Sequence, residues 1–279
     1  MNKSSHSDLV SVIIPTYKRV DQTLRAIHSC LNQSYDSVQI IVVDDGSGFE
    51  YKRRLQEHFK SENRVEIYEI DHCGHPGIVR NFGLSKAKGG WIAFLDSDDM
   101  WISEKLELQL GLAASSGALA ICSNAIASHD QRLLLDRQVT GSLSLFDLVA
   151  RNSIVNSSVL IRRDLLNKVG GVVDQGSALG AEDFATWLRV AFFSDWEYLN
   201  VPTIYYESAS SDSMKFSKNV SQRFASQFGL INFLEWMTQN GYSRMLLSKL
   251  FLSLIKKVIV VDLFFNPSTR KYKKSKLEE

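Results

Sequence analysis

Four short apolar runs, Val10 to Ile14, Gln39 to Val43, Val65 to Tyr68 and Trp91 to Leu95, alternate with amphipathic stretches along the first part of the chain. No other feature constrains the fold as much. Runs of four or five residues, rich in β-branched side chains and closed by polar or glycine-containing exits, read as strands rather than buried helices. Between them Asp21 to Leu31, Glu50 to Phe59 and Gly77 to Ala87 carry apolar residues at helical spacing. Strands joined through helices pair in parallel, because the crossover returns the chain to the same end of the sheet. The first half therefore reads as βαβαβαβ. It contains neither a GxGxxG fingerprint nor a GxxxxGK[ST] loop, so the usual dinucleotide and P-loop sites are absent.

With 279 residues, 44% of them apolar and 23% charged, the chain can bury one large core, or one core and a small appendage. Its formal net charge of +1 gives no global field toward nucleic acid. Cys30, Cys73 and Cys122 are odd in number and form no CxxC pair, against a disulfide framework or a zinc cluster. Met1 to Asp8 is polar and lacks the apolar stretch of a signal peptide. These features lead to the expectation of a cytoplasmic protein.

After Trp101 the pattern becomes mixed: a helix, apolar runs at Ala118 to Ala127 and Ile154 to Ile161, then a helix from Glu182 to Phe193. Beyond about Ser208 the strand signals stop. Val220 to Gln239 and Ser243 to Phe265 read as helices separated by Asn240-Gly241, a C-cap and turn signal. The expected organisation is a main domain over 1–207 and a helical region over 208–279 with a basic tail. The second of these helices aligns Leu247, Leu250, Phe251, Leu254, Val258 and Val261, yet carries Lys249, Lys256, Lys257 and Asp262, too many charges for a membrane span. Five cations follow between Arg270 and Lys276. They suit peripheral contact with an anionic membrane surface, at about 1 kcal/mol per cation, or equally a solvated tail behind a packed helix.

Chemistry concentrates at strand exits. Trp91-Ile-Ala-Phe-Leu-Asp96-Ser97-Asp98-Asp99 delivers three carboxylates directly from a buried strand. Carboxylates this close repel unless a cation sits among them, and hard oxygens suit Mn²⁺ or Mg²⁺; an acidic first turn of a helix would also place Asp there. A haloacid-dehalogenase-type phosphatase would need Thr where Met100 stands. Gln39-Ile-Ile-Val-Val-Asp44-Asp45-Gly-Ser47 repeats the pattern, either as a binding edge or as turn chemistry. Val12-Ile-Ile-Pro15-Thr16-Tyr17-Lys18 adds an aromatic at a third exit. An aromatic beside a carboxylate is what a nucleobase needs, a ring to stack on and an acceptor for its N–H.

These segments, with Gly74-His-Pro-Gly-Ile-Val-Arg80-Asn81-Phe-Gly83, resemble glycosyltransferase family 2 over roughly Val10 to Tyr206; Val79 stands where the family's Gly-x-x-x-Ala-Arg-Asn-x-Gly pattern has Ala. The resemblance implies an α/β, Rossmann-like GT-A fold, a mixed, mostly parallel sheet flanked by helices, with the C-terminal helices as an appendage. By the same resemblance Pro15, Thr16, Tyr17 and Asp45 hold a uridine, Asp96 faces its ribose with Ser97 in the same nucleotide loop, and Asp98 carries the Mn²⁺ or Mg²⁺. Arg80 lies near the diphosphate, where a planar cation suits phosphate oxygens; a surface ion pair is the other reading. Glu182-Asp183 matches the family's acidic pair, with Asp183 as general base, although capping of a helix also explains such a pair. Trp187 either stacks on a sugar or fills the core, and His75 takes no role.

The implied activity is inverting transfer of a hexose or N-acetylhexosamine from a UDP-sugar to a glycan or polyprenyl-linked oligosaccharide of a surface polysaccharide. Nucleotidyl transfer is disfavoured, since Thr16-Tyr-Lys-Arg-Val-Asp21 has no glycine to cradle phosphates. The alternative from another class is a catalytically degenerate GT-A domain serving as a nucleotide-sugar or glycan-binding module.

Overall fold

The computed structural model describes residues 9–135, 141–174, 180–207 and 222–242. The four apolar runs become β1 (Val10–Thr16), β2 (Val38–Asp44), β3 (Val65–Glu69) and β4 (Trp91–Phe94), linked by α1 (Val20–Leu31), α2 (Phe49–His58) and α3 (Pro76–Lys86). β1 lies between β2 and β4, β3 lies outside β2, and every pairing among the four is parallel. Helices cover both faces, which is why β2 is buried at every position and needs apolar residues on both sides. α3 approaches β1 closely because Gly83 has no side chain: a Cβ there would stand 2.6 Å from Ile13 Cγ2.

The second half supplies β5 (Met100–Trp101), α4 (Lys105–Ser116), β6 (Ala120–Ala127), β7 (Ser142–Leu143), α5 (Leu145–Ala150), a 3-10 turn (Asn156–Ser158), β8 (Leu160–Arg162), α6 (Arg163–Lys168), α7 (Glu182–Phe193), β9 (Trp196–Tyr206) and α8 (Gln222–Gln239). The strand order is β3-β2-β1-β4-β8-β6-β9-β5, with β7 paired to β9. β8 runs antiparallel to β4 and β6, whereas β9 runs parallel to β6. Two expectations change. Only the end of the run from Ile154 to Ile161 is strand, because Trp101 Nε1 donates to the Ser157 carbonyl and Gln109 Nε2 to that of Ser158, taking up backbone groups that a ladder would need. The sequence pattern also passed over β9, whose eleven residues alternate imperfectly and include Pro202.

One face of the sheet packs Val12, Ile14, Ile40 and Leu95 with Ala26, Ile27 and Leu106 of the helices above it. The other face packs Ile13, Ile92 and Phe94 with Phe184, Trp187 and Leu188 of α7. Trp187 is 1% exposed and sits against Phe94 and Trp196, so it is a core residue and does not stack on a sugar. α8 joins this second core through Leu230, Phe233 and Met237. Gly229 allows the approach, since a Cβ there would lie 2.8 Å from Phe184 Cδ1. The expected helix from Ser243 to Phe265 and the basic tail lie outside the described residues. Among the described residues, no helix is long and apolar enough to cross a membrane.

Candidate active site

The chain leaves β1 toward β2 and β3, then returns to the opposite edge of β1 as β4. At such a reversal the loops diverge and leave a crevice beyond the carboxyl ends of the strands, where open α/β sheets receive ligands. The exits of β1, β2 and β4 carry Tyr17, Asp45 and Asp96 into it.

β4 ends at Phe94 and the chain turns through Asp96, Ser97, Asp98 and Asp99 into β5, while α4 begins only at Lys105. The acids are therefore not a helix's first turn. Asp96 accepts from Arg80 Nη2 at 2.8 Å and from Asn156 Nδ2 at 2.9 Å. Asp98 accepts from Arg19 Nη1 at 2.8 Å. Asp99 accepts from Ser157 Oγ at 2.6 Å and from the Glu207 amide at 3.1 Å, tying the loop to the turn before β8 and to the end of β9. Ser97 is buried within the loop.

Burial first, then the charge of Asp96, raises the pKa of Asp98 and Asp99 above the usual carboxylate range. The same field reaches Tyr206, whose phenol is pushed up to about 12 by burial and then by Asp99, Asp96, Asp98 and Asp183. Several negative groups therefore act on this one phenol.

Arg80 projects from α3 one turn before Gly83. Its Nη1 donates to Glu182 Oε1 at 3.1 Å, so one guanidinium joins the β4 loop to the start of α7. At 6% exposure it is not a surface ion pair. Burial opposes its charge, but Asp96, Glu182 and Asp183 outweigh that and hold it protonated. Glu182 is buried and also accepts from the Gly180 amide at 2.8 Å. Asp183 is partly exposed, and its Oδ1 accepts from the Phe184 amide at 2.6 Å. Burial, followed by repulsion from Glu182, pushes its carboxyl up to about 7 despite Arg80.

At the other end, Asp45 accepts from the amides of Cys73 and Gly74 at 2.8 and 3.0 Å, and His72 Nδ1 lies 3.0 Å from its Oδ2. The His72 ring stacks on Tyr17 with centroids 4.4 Å apart and planes 15° apart. Thr16 departs from expectation: its hydroxyl is buried and shared with Thr23 and Tyr51, so it faces the helices and not the crevice. Pro15, beside it, is the one partly exposed position of β1. Asp44 makes a local turn by accepting from Ser47. His75 caps α3, its Nδ1 accepting from the Gly77 amide at 3.2 Å. Sequence reasoning missed Arg19, Asn156 and Ser157, all of which touch the acidic loop.

A mostly parallel sheet whose switch point gathers these carboxylates opposite an aromatic–acid pair defines a GT-A type of transferase domain. The profile of Glycosyl transferase family 2 matches residues 11–169, and the chain belongs to that family. TuaG of Bacillus subtilis (strain 168), named for teichuronic acid biosynthesis, is 32% identical over 185 residues, 65% of this chain and 71% of that one. WfgD of Escherichia coli, named a UDP-Glc:alpha-D-GlcNAc-diphosphoundecaprenol beta-1,3-glucosyltransferase, is 28% identical over 182 residues, 65% of this chain and 69% of that one. Some relatives are much longer: the match to a Rickettsia bellii glycosyltransferase takes in 46% of this chain and 17% of that one. The crystal structure of S. aureus TarS 1-349 in complex with UDP-GlcNAc shares the fold, with a TM-score of 0.73 at 16% identity over 94% of this chain and 77% of that one.

Proposed function

We propose that this chain transfers a hexose or N-acetylhexosamine from a UDP-sugar, with inversion, to a hydroxyl of a glycan or lipid-linked oligosaccharide in surface-polysaccharide synthesis. The observation that carries the reading is Asp183. It is the partly exposed member of an acidic pair whose other member, Glu182, is joined to Asp96 through Arg80, and its carboxyl, pushed up to about 7, suits a general base at neutral pH. The names of TuaG and WfgD support a cell-surface acceptor, and the UDP-GlcNAc complex of TarS supports a uridine donor.

In this reading Tyr17 and Asp45 take the base, with His72 moving off the Tyr17 ring. Asp183 removes the acceptor's hydroxyl proton, and the freed oxygen forms a bond to the anomeric carbon from the face opposite the phosphate. The bond from that carbon to the phosphate oxygen breaks, its electron pair leaving with UDP. Arg80 positions rather than binds, fixing Asp96 and Glu182 while its charge offsets theirs. Among the described residues no three metal-ligating side chains converge, so a cation would complete its shell from the diphosphate and water. Asp98 fits such a cation: its hard oxygens are crowded by Asp96 and only partly offset by Arg19. Mn²⁺ or Mg²⁺ there would neutralise charge on the leaving diphosphate. A lipid-linked acceptor would hold the enzyme at the inner face of the cell membrane, where the cations of 270–276 would meet anionic headgroups.

The test is UDP release from a panel of UDP-sugars with Mn²⁺ or Mg²⁺, comparing wild type with Asp98→Ala and Asp183→Asn. Metal-requiring turnover that falls in both variants is expected. Variants as active as wild type would refute the site.

A further inference from the structure

Asn156 opens the 3-10 turn ahead of β8 and is 8% exposed. Its amide nitrogen donates to Asp96, a carboxylate that can only accept when ionised, so the side chain cannot be reversed without setting two acceptors face to face. That leaves Oδ1 buried with no hydrogen-bond partner. The turn is pinned by Trp101 on the Ser157 carbonyl (2.9 Å), Gln109 on the Ser158 carbonyl (2.7 Å) and Ser157 on Asp99 (2.6 Å). Gln109 is itself held by the buried Lys105 at 2.7 Å. The turn is thereby fixed, the Asn156 side chain is held through Nδ2 on Asp96, and buried acceptors left without a partner are rare in folded proteins.

From this we infer that Asn156 Oδ1 accepts a hydroxyl of the transferred sugar and so selects which sugar the enzyme uses, an assignment that rests on the UDP-sugar reading above. The carboxylate bonded to the same side chain, Asp96, is an acceptor too, its charge shared with Arg80. An amide oxygen cannot bond a phosphate oxygen, which also only accepts, whereas sugar O–H groups are donors. Strand order agrees. The base end lies over the exits of β2 and β1, the acidic loop follows β4, and the turn carrying Asn156 leads into β8, the next strand along. A UDP-sugar laid along that line brings its hexose to Asn156.

The experiment measures kcat/KM of the wild type, Asn156→Ala and Asn156→Ser with the accepted UDP-sugar and its monodeoxy analogues, and the affinity of each protein for UDP alone by calorimetry. One monodeoxy donor is expected to lose roughly tenfold or more with the wild type, and that penalty to shrink to about twofold in the variants, because a site built to bond a hydroxyl rejects the analogue lacking it. UDP affinity is expected to be the same in all three proteins. No penalised analogue with the wild type, a penalty that persists in the variants, or UDP binding weakened as much as donor binding would each overturn the inference while leaving the transferase reading intact. A wild type that binds no UDP would overturn both.

Discussion

Replacing Asp183 by Asn is expected to end transfer and at the same time stabilise the protein at neutral and alkaline pH. The carboxyl is raised from 3.8 to about 7, first by burial and then by Glu182. At about 1.4 kcal/mol for each tenfold change, full expression of that rise would cost the folded state roughly 4 kcal/mol once the group is ionised. Asp183 is partly exposed and shares its field with Glu182, so a gain of about 1–3 kcal/mol is the expected yield of the neutral side chain. The sign follows from proton binding. Near pH 3 the group is largely protonated in both the folded and the unfolded chain, so Asp and Asn differ little. Between pH 4 and 7 the folded protein keeps a proton that the unfolded chain has lost, and stability falls as pH rises. Above about 7 the penalty is complete. Urea unfolding in EDTA at pH 5, 6, 7 and 8 would follow the difference between the two proteins, which should grow with pH and level off. Wild-type turnover should rise over the same interval as the base ionises. A variant no more stable than wild type at pH 8, or a difference that is flat in pH, would refute the argument that burial raises Asp183.

Arg80→Ala should lower stability by about 3–5 kcal/mol, because Asp96 and the buried Glu182 lose their shared cation; a thermal midpoint within a degree or two of wild type would contradict this. His72→Ala should tighten UDP binding by about 2–5-fold in calorimetry, since a ring stack worth about 0.5–1 kcal/mol no longer competes for Tyr17. Unchanged or weaker binding would make His72 part of the base site. Two glycines give opposite signs in chemical denaturation. Gly77→Ala sets a Cβ 2.1 Å from the Val173 carbonyl oxygen and should cost about 1–3 kcal/mol. Gly111→Ala meets nothing within 4 Å in mid-helix and should add about 0.5–1 kcal/mol.

What could be read from the sequence depended on whether a residue's state is decided by near neighbours. The strands β1, β2 and β4 are buried on both faces, so their apolar runs announce themselves without knowledge of partners, and the helices between them follow from periodicity. Asp96, Asp98 and Asp183 stood out because acids at the exit of a buried run, or paired at a helix start, conflict with their surroundings unless they serve a site. Thr16 shows the limit of that reasoning. A small polar residue at a strand exit fits a ligand edge as well as an interior bond, and Tyr51, 35 residues away, decides for the interior. Asn156, Ser157 and Arg19 were beyond reach for the same reason, their partners in the acidic loop lying 60, 58 and 79 residues away. Only the insertion of β8 beside β4, antiparallel in an otherwise parallel half-sheet, brings the turn at Asn156 under Asp96. Nothing local to Ile154–Ile161 marks that pairing, because the polar side chains that hold the turn interrupt an apolar run that by pattern alone would have continued as strand.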